Sequence, residues 1–423
     1  MTGGLALGID VGTSGVRGIV VNAAAAAVAE AAAPLPAPDR PPDGGATQDP
    51  RVWLAALERM IADLPRRREI RALAIDGTSG TLLVADAHGQ PLGPARMYND
   101  ASAADRAAAI AEHAPAESGA HGATSPLARL LVMQDEQPGA VYALHQADWI
   151  AANLTGRLGL SDDNNALKLG WDPVHRCWPD WMDALGLRRE LLPEVVAPGE
   201  ILGTIDPRRA AELDLESEIL VVAGTTDGCA SFLATGAQAF GEGVTALGST
   251  LTIKLLSERP IFAPQFGIYS HRLGTRWLVG GASNSGGAAL LRFFSTAEMA
   301  ALEPQLSPDR PTGRHWHPLP AKGERFPIAD PEMVFEAHDR PTEDAAFFQA
   351  LLEGIAEVEA SAYALLARLG ASPLRSVRTV GRGATNRAWT RIRARTLGAP
   401  LEAAISTEAA YGTARLALEG LAR

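Results

Sequence analysis

The chain has 423 residues, enough for two large domains or about three of average size. Hydrophobic residues at 47% and charged ones at 21% give the balance of a globular protein with a large core, which excludes fibrous and disordered classes. A net charge of −11 argues against nucleic acid as a partner, because like charges repel at long range.

Leu5–Asp10 (LALGID) reads as a short buried strand, Gly12-Thr13-Ser14-Gly15 as a turn, and Val16–Asn22 as the return strand. Glycine supplies the positive φ that a tight hairpin of this kind is expected to use. Ala23–Ala33 leads into Pro34–Pro50, where repeated prolines forbid regular structure. Trp53, Leu54, Leu57 and Ile61 repeat at helical spacing over Trp53–Leu64. Strands are expected at Ile70–Asp76 and Thr81–Asp86, and the stretch Ala101–Leu213 reads as mostly helical. Glu218–Ala223 is a buried strand running into Gly224-Thr225-Thr226-Asp227-Gly228 and a small-residue helix, Cys229–Thr235.

Val244–Leu256 repeats the opening pattern of apolar strand, glycine-hydroxyl turn and apolar strand. We read this as an internal duplication whose halves meet near residue 223, in a mixed α/β protein. A strand at Trp277–Gly280 precedes the glycine-rich Gly281–Gly287. Ala345–Leu369 is a long helix, and Val377–Val380 leads through Gly381–Asn386 to a helix over Ala388–Leu397. The closing helix, Ser406–Arg423, carries Ala409, Ala410, Gly412 and Ala414, small residues that let a second helix or a ligand approach its backbone.

The two hairpins, Gly12–Gly15 and Gly248–Thr250, carry the main chemical signal. Backbone amides at such tips form an anion nest to which Ser and Thr hydroxyls add donors, as phosphate binding requires; an ordinary hairpin is the plain alternative for either one. Asp10, beside the first tip, suits a Mg²⁺ ion held through water or an Asx-type turn. Arg17 on the return strand offers a cation to a transferred phosphate or is simply solvated. Asp227, at a strand end and a helix start, suits a base that takes a hydroxyl proton, and equally an N-cap. Tyr98-Asn99-Asp100 and Asp76-Gly77-Thr78-Ser79-Gly80 are polar loops that suit sugar hydroxyls, the second at a strand end where open α/β sheets place ligands. Gly381–Asn386 with Trp389 suits a flat adenine ring or a surface connection.

No Walker lysine motif, GxGxxG after a strand, HExxH or G-x-S-x-G occurs, so P-loop, Rossmann, zinc-protease and serine-hydrolase readings lack support. Two distant cysteines, Cys177 and Cys229, build no disulfide framework and suggest a reducing compartment. No apolar run approaches the roughly 20 residues that span a bilayer, and Met1–Leu7 does not read as a secretory leader. A cytoplasmic protein without membrane partners is expected.

Taken in order, these segments resemble the FGGY carbohydrate kinases of the actin-like ATPase superfamily. Ile9–Arg17 is similar to the opening D-x-G-T-[ST]-x-x-R hairpin, Ala223–Gly228 to the catalytic G-x-x-D-x segment, and Leu247–Thr252 to the second phosphate hairpin. Gly381–Trp389 (GRGATNRAW) and Ser406–Ala414 (STEAAYGTA) resemble the adenosine segment and the closing helix.

The resemblance implies two ribonuclease-H-like domains with an active-site cleft between them: residues 1–223 sugar-binding, residues 224–423 nucleotide-binding. It implies ATP as co-substrate with Mg²⁺ near Asp10, and Asp227 as general base. Sugar contacts would come from Asp10, Ser79, Asp100 and Asp227. Nucleotide contacts would come from Gly12, Thr13, Ser14, Arg17, Gly248, Ser249, Thr250, Gly383, Asn386 and Trp389. Thr78-Ser79-Gly80 stands where bacterial xylulokinases carry Gln-Met-His, and Tyr98-Asn99-Asp100-Ala101-Ser102 lacks the arginine of the W-x-D-x-R loop. The lysine-tryptophan pattern is also weak at Pro126–Met133, which reads PLARLLVM. DGTSG with MYND looks most like the short D-ribulose kinases. The expected activity is therefore phosphorylation of a ketopentose, D-ribulose first, by a monomer or homodimer. D-xylulose, L-ribulose and polyols stay open, as does a nucleotide-switched binding protein of the actin or chaperone type.

Overall fold

The computed structural model describes residues 4–422 and divides into two compact units. The first runs to Ala234, takes in His271–Gly274 and ends with the chain from Glu408 onward; the second holds Thr235–Ser270 and Thr275–Thr407. This differs from a division at residue 223, because the helix Asp227–Ala234 and the closing helix both belong to the first unit.

In the first unit a six-stranded sheet has the order Ile201–Thr204, Leu220–Thr226, Ile70–Gly77, Leu5–Val11, Gly15–Val21, Ala27–Pro34. Leu5–Val11 runs antiparallel to its hairpin partner Gly15–Val21 and parallel to Ile70–Gly77, which in turn pairs parallel with Leu220–Thr226. Three parallel strands thus end side by side. The buried residues Leu5, Leu7 and Ile9 join Leu73, Ile75 and Val221 in one core, which Trp53, Leu57 and Ile61 of the amphipathic helix Arg51–Asp63 help to close.

The second unit repeats the plan. Its sheet has the order Tyr269–Leu273, Arg276–Ser283, Leu251–Ser257, Glu242–Leu247, Ser376–Val380, Leu401–Glu402. Glu242–Leu247 pairs antiparallel with Leu251–Ser257 and parallel with Ser376–Val380, as Leu5–Val11 does with its own neighbours. The 25-residue helix Asp344–Arg368 covers this sheet through Phe348, Leu351, Leu352, Ile355 and Val358. The duplication read from two hairpins is therefore a duplication of sheet order.

One expectation fails here. Residues 101–213 are less helical than their pattern: five helices alternate with strands Tyr142–His145, Leu160–Asp162, Glu194–Val196 and Ile201–Thr204. Gly156, Gly170 and Gly186 end helical segments at positive φ, and prolines such as Pro173 and Pro193 interrupt the remainder. The alanine-rich segment forms a strand, Ala27–Pro34, because its pairing with Gly15–Val21 overrides alanine's weak β preference.

No helix among the described residues is long and apolar enough to cross a membrane. Cys177 is exposed, Cys229 is buried, and neither is in a disulfide.

Candidate active site

The parallel strands of the first unit bring three carboxylates to their carboxyl ends. Asp10 lies opposite Asp76 in the register, Thr225 pairs with Asp76, and Asp227 opens the following helix two residues later. Asp76 is fully buried; its Oδ2 accepts a hydrogen bond from the Thr413 hydroxyl of the closing helix Ala409–Leu421, whereas Oδ1 accepts from no donor among the described residues. Burial, then the Asp10 charge, holds the Asp76 carboxyl well above the usual carboxylate range, so it favours the protonated form. Asp10 is also raised, by burial first and by repulsion from Asp227, while a hydrogen bond with Asp76 and the Arg17 charge oppose the rise. Two bare carboxylates offer no donor to the hydrogen bond between Asp10 and Asp76. A proton on Asp76 supplies one by donating to Asp10. The sequence reading placed Asp76 only in a polar turn and missed this role, which needs strand register to be seen.

Asp227 follows the strand Leu220–Thr226 directly and opens the helix Asp227–Ala234. Its Oδ1 accepts from the adjacent Gly228 amide at 2.6 Å, its side chain is half-buried, and its charge acts on Asp10. Arg17 lies directly opposite Asp10 in the antiparallel register and forms an ion pair with Glu408.

The first hairpin tip has four residues between its paired strands, 12–15, and the second has three, 248–250. The Gly12 amide donates to Gly15 O at 3.0 Å and the Gly248 amide to Thr250 O at 3.1 Å. The amides of Thr13, Ser14, Ser249 and Thr250 donate to no acceptor among the described residues. Contrary to expectation, Gly12, Gly15 and Gly248 are not at positive φ. A Cβ would meet nothing nearer than 3.5 Å at Gly12 and 3.7 Å at Gly248, so the fold itself does not demand glycine at these two positions, whereas at Gly15 it would come within 3.0 Å of Ala33 O. What glycine leaves at Gly12 and Gly248 is an uncovered backbone, the requirement for close approach of a phosphate.

Ser79 is half-buried in the turn after Ile70–Gly77. Asp100 is different: it is 1% exposed, its Oδ2 accepts from Ala46 N at 2.7 Å, and its Oδ1 accepts from both the amide and the hydroxyl of Ser102. These bonds make it an organiser of its own loop, and the geometry disfavours the expected direct sugar contact.

In the second unit, Gly248, Ser249, Gly383, Asn386 and Trp389 line one pocket of ≈ 560 Å³; Thr250 stands outside its lining. Gly381, at φ 87°, and Gly383 pass so close to Leu247 that a Cβ would come within 2.7 Å of it, which couples the two segments. Asn386 caps the helix Arg387–Leu397 by accepting from Trp389 N, leaving its Nδ2 to the pocket. Trp389 is 4% exposed and donates its Nε1 to Leu352 O, so it forms a wall and not a free stacking platform. The remaining wall, with Leu290, Met299, Phe348 and Leu352, was not singled out from sequence, since apolar helix residues read as core until tertiary packing opens a space beside them.

Comparison with known proteins agrees with this geometry. Residues 5–234 match the N-terminal domain, and residues 243–420 the C-terminal domain, of the FGGY family of carbohydrate kinases. The chain is 27% identical over 437 residues to a xylulose kinase of Escherichia coli (strain K12), covering 97% of this chain and 89% of that one. A xylulose kinase structure from Rhodospirillum rubrum superposes with a TM-score of 0.84 at 22% identity, over 99% of this chain and 92% of that one. A gluconate kinase from Lactobacillus acidophilus also superposes at 0.84, with 19% identity and coverage of 99% and 89%. With both domain matches spanning the two units, the chain belongs to the FGGY family of carbohydrate kinases and is an ATP-dependent sugar kinase of the actin-like ATPase fold.

Proposed function

We propose that the enzyme transfers the terminal phosphoryl group of ATP to the terminal hydroxyl of a ketopentose, D-ribulose first. The observation that carries the chemistry is the placement of Asp227 at the strand end beside Asp10 and Asp76. There it remains half-exposed while its neighbours are raised by burial. Asp227 takes the proton of the attacking hydroxyl, Asp10 and Ser79 hold the sugar, and the Thr13–Ser14 amides receive phosphate oxygens. The pocket at Gly248–Ser249 and Gly383–Trp389 takes the nucleoside and its adjoining phosphates.

The described residues contain no cluster of three metal-ligating side chains. The charge repulsion at Asp10 nevertheless suits a Mg²⁺ ion that arrives with ATP and keeps its waters. Such an ion neutralises polyphosphate charge.

The ribulose reading rests on the DGTSG turn and the Tyr98-Asn99-Asp100 loop; the gluconate kinase neighbour is a reminder that this fold accepts different acceptors. D-xylulose is the second reading, because the curated relatives carry that name. ADP release measured over D-ribulose, D-xylulose, L-ribulose and polyols decides between them: the highest kcat/KM is expected for D-ribulose. A preference for D-xylulose reverses the assignment, and turnover on no pentulose removes it.

A further inference from the structure

The helix Pro126–Glu136 carries Arg129, whose side chain is fully buried. Its guanidinium donates only to carbonyl oxygens: Nη2 to Gly80 O at 2.6 Å and Thr124 O at 3.1 Å, Nη1 to Arg96 O at 3.0 Å and to Met97 O, and Nε to Ser125 O at 3.4 Å. No carboxylate pairs with it directly; Asp100 acts on it only through space. Burying a cation on these terms is costly, and a methionine of similar volume would avoid the cost. What hydrocarbon cannot do is donate at once to three separate segments of chain.

One of those segments adjoins Ser79, which holds the sugar in the proposed function, and another leads into the Tyr98-Asn99-Asp100 loop on which the ribulose reading rests. Gly80 follows Ser79 in the turn at the end of Ile70–Gly77, and Met97 precedes Tyr98-Asn99-Asp100. They are further joined by Thr81, whose hydroxyl accepts from Tyr98 N at 3.0 Å and lies 2.6 Å from the Thr78 hydroxyl. The planar, five-donor fork of arginine spans this arrangement, and the three tetrahedral donors of a lysine ammonium do not reproduce it.

We infer that Arg129 is a positioning residue for sugar binding, setting the spacing of the Ser79–Gly80 turn against the Met97–Asp100 loop without touching substrate. The inference rests on the proposed sugar site at Ser79.

The test uses the full-length enzyme with Arg129→Lys, and with Arg129→Met should the lysine variant fail to fold. Two readouts are taken. Hydrogen exchange at the Tyr98 and Thr81 amides is expected to accelerate, while amides of the helix Arg51–Asp63 keep their protection. The KM for the sugar that wild type phosphorylates best is expected to rise by about 10–10²-fold, the penalty of a displaced binding group, with the KM for ATP essentially unchanged. Unchanged exchange at Tyr98 and Thr81 overturns the inference, and so does accelerated exchange with an unchanged sugar KM. An equal rise in both KM values indicates general damage and also overturns it. Failure of the pentulose assignment is read separately, from wild type alone.

Discussion

At the scale of single residues, the catalytic prediction falls on Asp227. Asp227→Asn keeps the oxygen that the Gly228 amide needs and removes the proton acceptor. The variant is expected to show a wild-type circular dichroism spectrum and a kcat lowered by about 10²–10⁴-fold in an ADP-release assay. A kcat near wild type excludes Asp227 as base.

Asp162 offers a pH-dependent signature unrelated to catalysis. It is buried and caps the turn Asp163–Ala166 through Asn164 N and Asn165 N. Burial, then the Asp148 charge, pushes its carboxyl up to about 7, well above the usual carboxylate range. The folded state therefore binds this proton more tightly than the unfolded chain. The stability it confers is full below about pH 4 and is lost as pH rises through about 7. Denaturant midpoints across this range should fall for wild type and fall less steeply for Asp162→Asn; parallel slopes would exclude Asp162 as the titrating group.

At the scale of elements, the closing helix shows how a compositional hint acquires a single meaning. Its small residues suited either a helix or a ligand, and in the structure they admit other parts of the first unit. A Cβ on Gly412 would lie 1.9 Å from Ala230 O of the helix Asp227–Ala234, and one on Gly8 would lie 2.0 Å from Ala410 O. Gly412→Val is expected to destabilise by at least ~1–3 kcal/mol in urea unfolding, the range for overpacking, because backbone must move to admit it. A small effect would show that the two helices separate easily. The hairpin tip behaves oppositely. Gly248→Val meets only Thr250 O, at 3.7 Å from the new Cβ, so the fold should tolerate it while the side chain screens the Ser249 and Thr250 amides. The expected result is an unchanged melting temperature with a large rise in the KM for ATP; an unchanged KM removes phosphate binding from this tip.

At the scale of the molecule, each unit is one copy of the same sheet order, yet the first copy is completed from the far end of the chain. Thr413 supplies the hydrogen bond to Asp76, and Ala410, Ala414 and Ala417 are buried. A fragment ending at Ala234 is therefore expected to show no cooperative thermal transition. Joining residues 408–423 to it by a flexible linker should restore one. Independent folding of the short fragment would show that the closing helix is dispensable.

The sequence by itself determined the hairpins, the buried strands, the long helix and the ordered motifs, because alternation, helical spacing and glycine-hydroxyl turns are local patterns. Family membership and the positions of Asp10 and Asp227 were legible for the same reason. Only tertiary structure decided that Asp76 sits beside Asp10, that Asp100 serves its own loop, and that Arg129 ties three segments together. It also gave the closing helix to the first unit and opened the pocket wall beside Gly383 and Trp389. Those outcomes depend on strand register, burial and backbone groups far apart in the chain, and no local pattern of side chains encodes which carbonyl a buried guanidinium will meet.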